Sequence, residues 1–340
     1  MQGIRFLGNK RIQVKDFPKP QSEKQWDEEQ ALNVVVKVKA SAICGSDLHG
    51  YFRPEESDFI PGHEVAGEIF EIDRPTYLKV GDRVAIHNMI GCGHCEFCRS
   101  GDWIFCHQVK ILGHSVHGGD AEYLVVPERN CFLLPSGLSF EQGALLGDAV
   151  GTPYRAIKRL GVNGTHTVAL FGLGPVGLGA LLILKLLNCK VIAIEVSEYR
   201  LDMGRELGAD AVLDPRKEDV LAKVKEFANK KGIDVSIDCA GQAITENQAL
   251  EVVKEGGRVA FVGENASATI KPSDQFIRKE LIVIGSWYFN VGEYEELTNL
   301  VQRGLGIEKI ITHRFNLEKA EKAFETFASG QSGKVIFRFD

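Results

Sequence analysis

The chain has 340 residues, 44% hydrophobic and 25% charged, enough to bury the cores of two domains under a solvated surface. Its net charge of -6, with no dense Lys/Arg block, argues against nucleic acid as a partner. The longest apolar run, residues 178–187, is broken by Gly179 and Lys185 and is too short to span a bilayer, so no membrane partner is expected. The N-terminal MQGIRFLGNKRIQV has no continuous apolar segment of the secretory kind. The eight cysteines of such a chain point to reduced thiols and metal binding, and to a cytoplasmic location.

Residues 1 to 150 read as β-rich, with short apolar runs at 32–38, 65–72 and 83–86 between Gly, Pro and Asp punctuators. From Thr165 the pattern changes to strand–helix alternation. A strand at 167–171 leads through a Gly-rich turn into a helix at 175–187. A strand at 190–195 follows, then a helix at 197–207 with Ser197 as N-cap and Gly208 as its stop. Helices at 219–230 and 244–254 and strands at 234–238, 258–262 and 281–285 continue the series. Such alternation implies an α/β fold with a doubly wound parallel sheet. Two amphipathic helices, 293–302 and 317–327, and a strand at 334–339 close the chain. The tail is expected to rejoin the first domain. The expected division is therefore 1–150 with 290–340 as one domain and 151–289 as the other.

Three groups of residues carry chemistry. In GCGHCEFCRSGDWIFC, Cys92, Cys95, Cys98 and Cys106 are spaced to wrap one tetrahedral ion, with every position filled by sulfur. A closed structural zinc site is one reading and an iron–sulfur cluster the other. His94 and His107 are not needed as ligands. In VALFGLGPVGLG, Gly172, Gly174 and Gly177 fit G-x-G-x-x-G, and Pro175 and Val176 open the helix whose N-terminus would face a pyrophosphate. Glu195 ends the next strand and is placed to read ribose hydroxyls, which favours NAD; Arg200 behind it offers a counter-charge for a 2′-phosphate. The third group is dispersed: Cys44 in AICGSDLHG, His63 and Glu64 in PGHEVAGE, and Asp148 in LLGDAVGTPYRAI. Sulfur, imidazole and carboxylate together would leave a tetrahedral ion one open position, as a catalytic zinc needs. Singly, Cys44 reads equally as a small buried hydrophobe and Asp148 as a helix cap. Cys131, Cys189 and Cys239 read as small buried side chains.

GHEVAGE at 62–68, CGSDLH at 44–49, the four-cysteine lobe and the glycine turn occur in one order across the whole chain. In this the chain resembles the zinc-containing medium-chain dehydrogenase/reductase family, the alcohol and polyol dehydrogenases, including sorbitol- and threonine-dehydrogenase-like members. The resemblance implies a GroES-like β-rich catalytic domain and a Rossmann domain. It implies catalytic zinc on Cys44, His63 and Asp148, with Glu64 as an alternate ligand and Asp47 orienting the His63 imidazole. Asp replaces the commoner Cys or Glu at the third position. Ser46 and His49 match the family's proton relay. The implied activity is hydride transfer between an alcohol and NAD, with two Zn2+ per chain and a homodimer or homotetramer as the assembly. Ser46, Tyr51, Phe52, His114 and Trp287 are candidate pocket residues for a small-molecule alcohol: a secondary alcohol, polyol, cyclitol or amino alcohol. A zinc-free reductase of the same fold and a non-catalytic nucleotide-binding protein are the alternatives.

Overall fold

The computed structural model describes residues 1–22, 32–74, 76–229 and 232–340. The chain gathers into two compact units, Met1–Gly151 with Phe289–Asp340, and Thr152–Tyr288.

The first unit is built on a seven-stranded sheet. Its order is Ile311–Phe315, Lys334–Arg338, Asn33–Ile43, Glu64–Ile72, Arg83–Ile86 and Cys131–Leu133, and Tyr123–Pro127 also pairs with Asn33–Ile43. The β-branched sequence NVVVKVKASAI suits a long, nearly fully buried central strand. Val34, Val36 and Val38 pack with Val65, Ile69, Val84, Ile86 and Leu112 on one side. A second cluster, including Phe6, Ile43, Tyr51, Phe324 and Phe337, covers the C-terminal helix Ala320–Ala328 and strand. Two registers set the geometry at one end of this sheet. Ala42 lies opposite Glu64, and Val335 opposite Ile43. Residues 44, 63, 64 and 334 are thereby drawn together there.

The second unit is a six-stranded parallel sheet in the order Ala211–Leu213, Lys190–Ile194, Thr167–Phe171, Ile233–Asp238, Val253–Phe261, Ile282–Gly285. In chain order this is third, second, first, fourth, fifth, sixth, the doubly wound arrangement with a switch point beside the first strand. Val168–Phe171 is fully buried, as a central parallel strand requires.

Most predicted elements recur with shifted ends. The helix expected at 219–230 is Val220–Phe227, because the Asp219 carboxylate caps it by accepting from the Ala222 N–H at 2.8 Å; Lys230 lies outside the described residues. The strand expected at 258–262 is the end of Val253–Phe261. The three-residue strand Ala211–Leu213 was not predicted, being too short to show alternation. Helix Phe140–Leu146 was missed although its capping box, Ser139 with Gln142, is written in the sequence.

Candidate metal centres and the dinucleotide turn

Cys44 follows the end of Asn33–Ile43 and His63 precedes Glu64–Ile72, so the antiparallel register brings them together. Asp148 arrives from the turn after Phe140–Leu146, a helix that lies close to the sheet because Gly143 faces Ala66; a Cβ there would stand 3.0 Å from the Ala66 Cβ. The Cys44 thiol donates to Asp148 Oδ2 at 3.1 Å, and His63 Nε2 lies 3.3 Å from the same oxygen. Donor atoms of Cys44, His63, Glu64 and Asp148 lie within 4.8 Å of one another, and all four residues are buried.

Asp47 ties the group from behind. Its Oδ2 accepts the Cys44 backbone N–H at 2.8 Å, and its Oδ1 lies 3.2 Å from His63 Nδ1. Burial opposes the Asp47 charge, but the adjacent His63 holds its pKa below the usual range. A carboxylate on Nδ1 keeps the proton there and leaves the Nε2 lone pair for the cluster. Burial and the Asp148 charge push the Cys44 thiol up, and burial pushes Glu64 up to about 7 against the pull of Lys334. Acidic donors converging out of water call for a cation, and sulfur, imidazole and carboxylate together suit zinc. Glu64 Oε2 is buried without a hydrogen-bond partner among the described residues, while Oε1 accepts from Lys334 Nζ. Lys334 is itself fully buried. Sequence reading missed it; its only signal is a lysine opening an apolar strand.

Ser46 Oγ is also buried and unpartnered among the described residues. Ser46, Asp47, His49, Arg53, Asp58 and His114 help to line a cavity of about 220 Å³, and the His114 ring centroid is 5.2 Å from that of His63. Tyr51, a candidate pocket residue, is instead in the core, 6.2 Å from Phe6 and 5.5 Å from Phe324 between ring centroids. Phe52 is exposed beneath Lys10, and Trp287 belongs to the other unit. His117 accepts the Ile60 N–H at 3.1 Å and wedges between Phe17 and Phe59.

The four-cysteine lobe is closed. Cys92, Cys95, Cys98 and Cys106 have sulfurs within 4.8 Å of one another, and none is in a disulfide. The Cys92 and Cys98 sulfurs are 3.9 Å apart. Four sulfurs at about 2.3 Å from a tetrahedral ion lie about 3.8 Å from each other, so the Cys92–Cys98 separation already matches that of a zinc site. The N–H groups of Cys92, Cys95 and Cys98 donate to the sulfurs of Cys106, Cys92 and Cys95 at 3.3, 3.4 and 3.4 Å, which suits thiolates. His94 and His107 are not among these donors: His94 Nδ1 lies 3.1 Å from the Cys92 carbonyl and His107 packs on Phe97. Cys131 and Cys189 are buried as expected, but Cys239 is only half-buried.

In the second unit, Gly172 turns with φ +84, and a Cβ on Gly177 would stand 1.9 Å from the Gly172 carbonyl oxygen. No larger residue fits at either place. Gly174 begins the helix Pro175–Leu186 without a side-chain cap, so the first N–H groups of Val176 and Gly177 are left for an anion. Glu195 is turned inward. Oε2 accepts from the Leu173 N–H at 2.7 Å, and Oε1 from the Val196 and Ser197 N–H groups at 2.7 and 2.9 Å. A carboxylate has about four acceptor sites, so one remains for a ribose hydroxyl. Arg200 Nη1 stands 3.9 Å from where a Gly174 Cβ would be.

A zinc-binding dehydrogenase family model matches residues 175–303, and an alcohol dehydrogenase GroES-like domain model matches residues 30–136. The chain is 35% identical over 325 residues to an uncharacterized zinc-type alcohol dehydrogenase-like protein of Escherichia coli K12, covering 90% of this chain and 91% of the relative. It is 31% identical to an L-threonine 3-dehydrogenase of Shewanella putrefaciens, covering 99% and 98%. The solved alcohol dehydrogenase from Thermus sp. ATN1 superposes with a TM-score of 0.92 at 28% identity, over 100% of each chain. With both halves matched in order, and with zinc-type donors converging in the first unit, the chain belongs to the zinc-type alcohol dehydrogenases of the medium-chain dehydrogenase family.

Proposed function

We propose that this protein is a zinc-dependent dehydrogenase that moves a hydride between a secondary alcohol or polyol and NAD, giving the ketone. The convergence of Cys44 Sγ and His63 Nε2 on Asp148 Oδ2, at 3.1 and 3.3 Å, carries this reading. Residues 1–150 and 290–340 form the catalytic domain, and 151–289 the NAD-binding one. Zinc held by Cys44, His63 and Asp148 would supply the Lewis acidity that eases loss of a hydroxyl proton and, in reverse, polarises a carbonyl. Asp47 keeps His63 in the ligating tautomer. Glu64, restrained by Lys334, is the alternate donor. The Ser46 hydroxyl relays the substrate's proton, gaining it as it releases its own, and the exposed His49 passes the released proton to water. Gly172, Gly174, Pro175, Val176 and Gly177 hold the pyrophosphate. The second zinc, on Cys92, Cys95, Cys98 and Cys106, is structural.

A panel of secondary alcohols, polyols, cyclitols and amino alcohols, assayed with NAD and NADP, tests the reading. NAD reduction by members of the panel is expected; a chain holding its metal yet inert toward all of them would contradict it. The similarity to an L-threonine 3-dehydrogenase places 2-amino alcohols on the panel.

Glu195→Ala should lower the ratio of kcat/KM for NAD over NADP by about 10- to 100-fold, the worth of a hydrogen bond to a charged group. Arg200 beside the turn would then favour the 2′-phosphate. An unchanged ratio in a variant with wild-type melting behaviour would remove Glu195 from cofactor choice.

The assembly we infer is a homodimer or homotetramer. Ile282–Gly285 is an edge strand of the parallel sheet with Ile282 54% exposed, an open apolar edge of the kind that pairs with a second chain. Light scattering at a monomer's mass would overturn that. No helix among the described residues is long and apolar enough to cross a membrane. A cluster of four cysteines free of disulfides supports a cytoplasmic location.

A further inference from the structure

Asp238 ends the strand Ile233–Asp238, which lies beside Thr167–Phe171 at the switch point, and it is fully buried. An acid out of water is costly unless its oxygens are met. Both are met by its own chain. Oδ1 accepts the Ala240 N–H at 3.3 Å and Oδ2 the Gly241 N–H at 3.0 Å. The Asp238 carbonyl accepts the N–H groups of Val262 and Gly263 at 2.9 and 3.0 Å. The carboxylate thus holds the turn after its own strand, and the carbonyl holds the turn after Val253–Phe261.

Those two turns and the glycine turn after Thr167–Phe171 pack backbone against backbone. A Cβ on Gly172 would stand 2.9 Å from the Ala240 nitrogen. One on Gly263 would stand 2.3 Å from the Gly241 nitrogen, and one on Gly241 would stand 2.5 Å from the Glu264 carbonyl oxygen. Close-packed interiors transmit strain, and at these contacts no side chain stands between the turns to absorb a shift. A change at the Ala240 N–H therefore reaches Gly172, and with it the helix start at Gly174 that would face a pyrophosphate.

We propose that Asp238 is a positioning residue for the cofactor: its ionised carboxylate holds residues 239–241 against the dinucleotide turn, and protonation there loosens the turn and weakens NAD binding. This rests on the dinucleotide reading of that turn. A carboxylate offers both oxygens to N–H donors, whereas a neutral acid carries a proton on one of them. Burial pushes the acid up to about 6, and the like charge of Glu246, on the helix Ala243–Val252, adds to the rise; the Thr245 hydroxyl and the two N–H groups oppose it. Phe171 and Phe261, opposite it on the flanking strands, bring no charge. The Cys239 thiol beside it is pushed up by burial and by Asp238 itself, and stays neutral. Asp238 therefore holds its charge in mild alkali and loses it as pH falls through about 6.

The test titrates NADH, by its fluorescence, into the zinc-loaded chain from about pH 8 down to about pH 5.5, with zinc content followed at each pH. Wild type should bind about 10-fold more weakly at the acid end, with a midpoint near pH 6. Asp238→Asn, which lacks the second acceptor at every pH, should bind about 10-fold more weakly than wild type at the alkaline end and show no pH step. Its loss should fall on KM for NAD rather than on kcat, the mark of cofactor binding rather than of the chemical step. Glu246→Gln should match wild type at the alkaline end and move the midpoint to lower pH, because a like charge is gone. Equal NADH affinity at both ends of the range in wild type overturns the proposal. So does a pH step retained in Asp238→Asn, or a Glu246→Gln midpoint at or above that of wild type. If Asp238→Asn does not fold, the other two profiles decide. A wild type that binds no NADH at any pH overturns the dinucleotide reading itself.

Discussion

Replacing His63 with Ala is expected to remove one of two zinc ions per chain and to lower kcat/KM by at least about 10³-fold, while the fold survives. Changing a residue that only orients a ligand already costs about 10- to 100-fold in metal affinity, so loss of a ligand should cost more. The reason is visible in how the imidazole is held. Asp47 fixes Nδ1 at 3.2 Å, and Nε2 faces the oxygen of Asp148 that also takes the Cys44 thiol. Without the imidazole, Cys44 and Asp148 keep two acidic groups out of water with less to hold a cation between them. Asp47→Asn should show the milder loss of metal affinity, about 10- to 100-fold, with the same coordinating set. Metal content by mass spectrometry, read beside turnover, checks both. A His63→Ala chain with two bound zinc ions and undiminished turnover would show that the ion lies elsewhere.

Cys98→Ser is expected to act on stability first. Its sulfur is one of four that fill a closed site, and binding at such a site is folding free energy, about 10–16 kcal/mol in isolated zinc peptides. Within a larger unit only the lobe's own share is lost, so a large fall in melting temperature and local unfolding of residues 92–106 are anticipated. Trp103 reports on it directly. The indole is buried in the lobe and donates to the Cys98 carbonyl at 3.3 Å. Its emission should shift to the red in the variant, as it should in wild type when the lobe's zinc is withdrawn. Wild-type melting and unchanged Trp103 emission in Cys98→Ser would contradict a structural metal in this lobe.

The features legible in the sequence are those fixed by short spacing. The G-x-G-x-x-G turn needs Gly172 and Gly177 because backbone meets backbone there, and the cysteines at 92, 95, 98 and 106 are held together by the length of chain between them. Asp148 had no strong local mark of ligation, reading equally as a helix cap, and only the packing of the preceding helix on the sheet brings its carboxylate to Cys44. Lys334 left less trace still, because it reaches Glu64 through a strand register spanning most of the chain. Tyr51 misled for a simple reason. In the helix Asp47–Phe52 it lies one turn beyond Asp47, on the same buried face, so its ring enters the core near Phe324 while the neighbouring His49 and Phe52 face outward. Glu195 was located correctly at its strand end, but three backbone N–H groups on its carboxylate could not be read from composition or spacing.

The most direct measurement tracks zinc content and NAD reduction together while a chelator strips the wild-type chain and zinc is then returned. Turnover should disappear as the ion held by Cys44, His63 and Asp148 leaves and recover as it is restored. Alcohol oxidation that continues at full rate in a chain freed of every divalent ion would contradict the account.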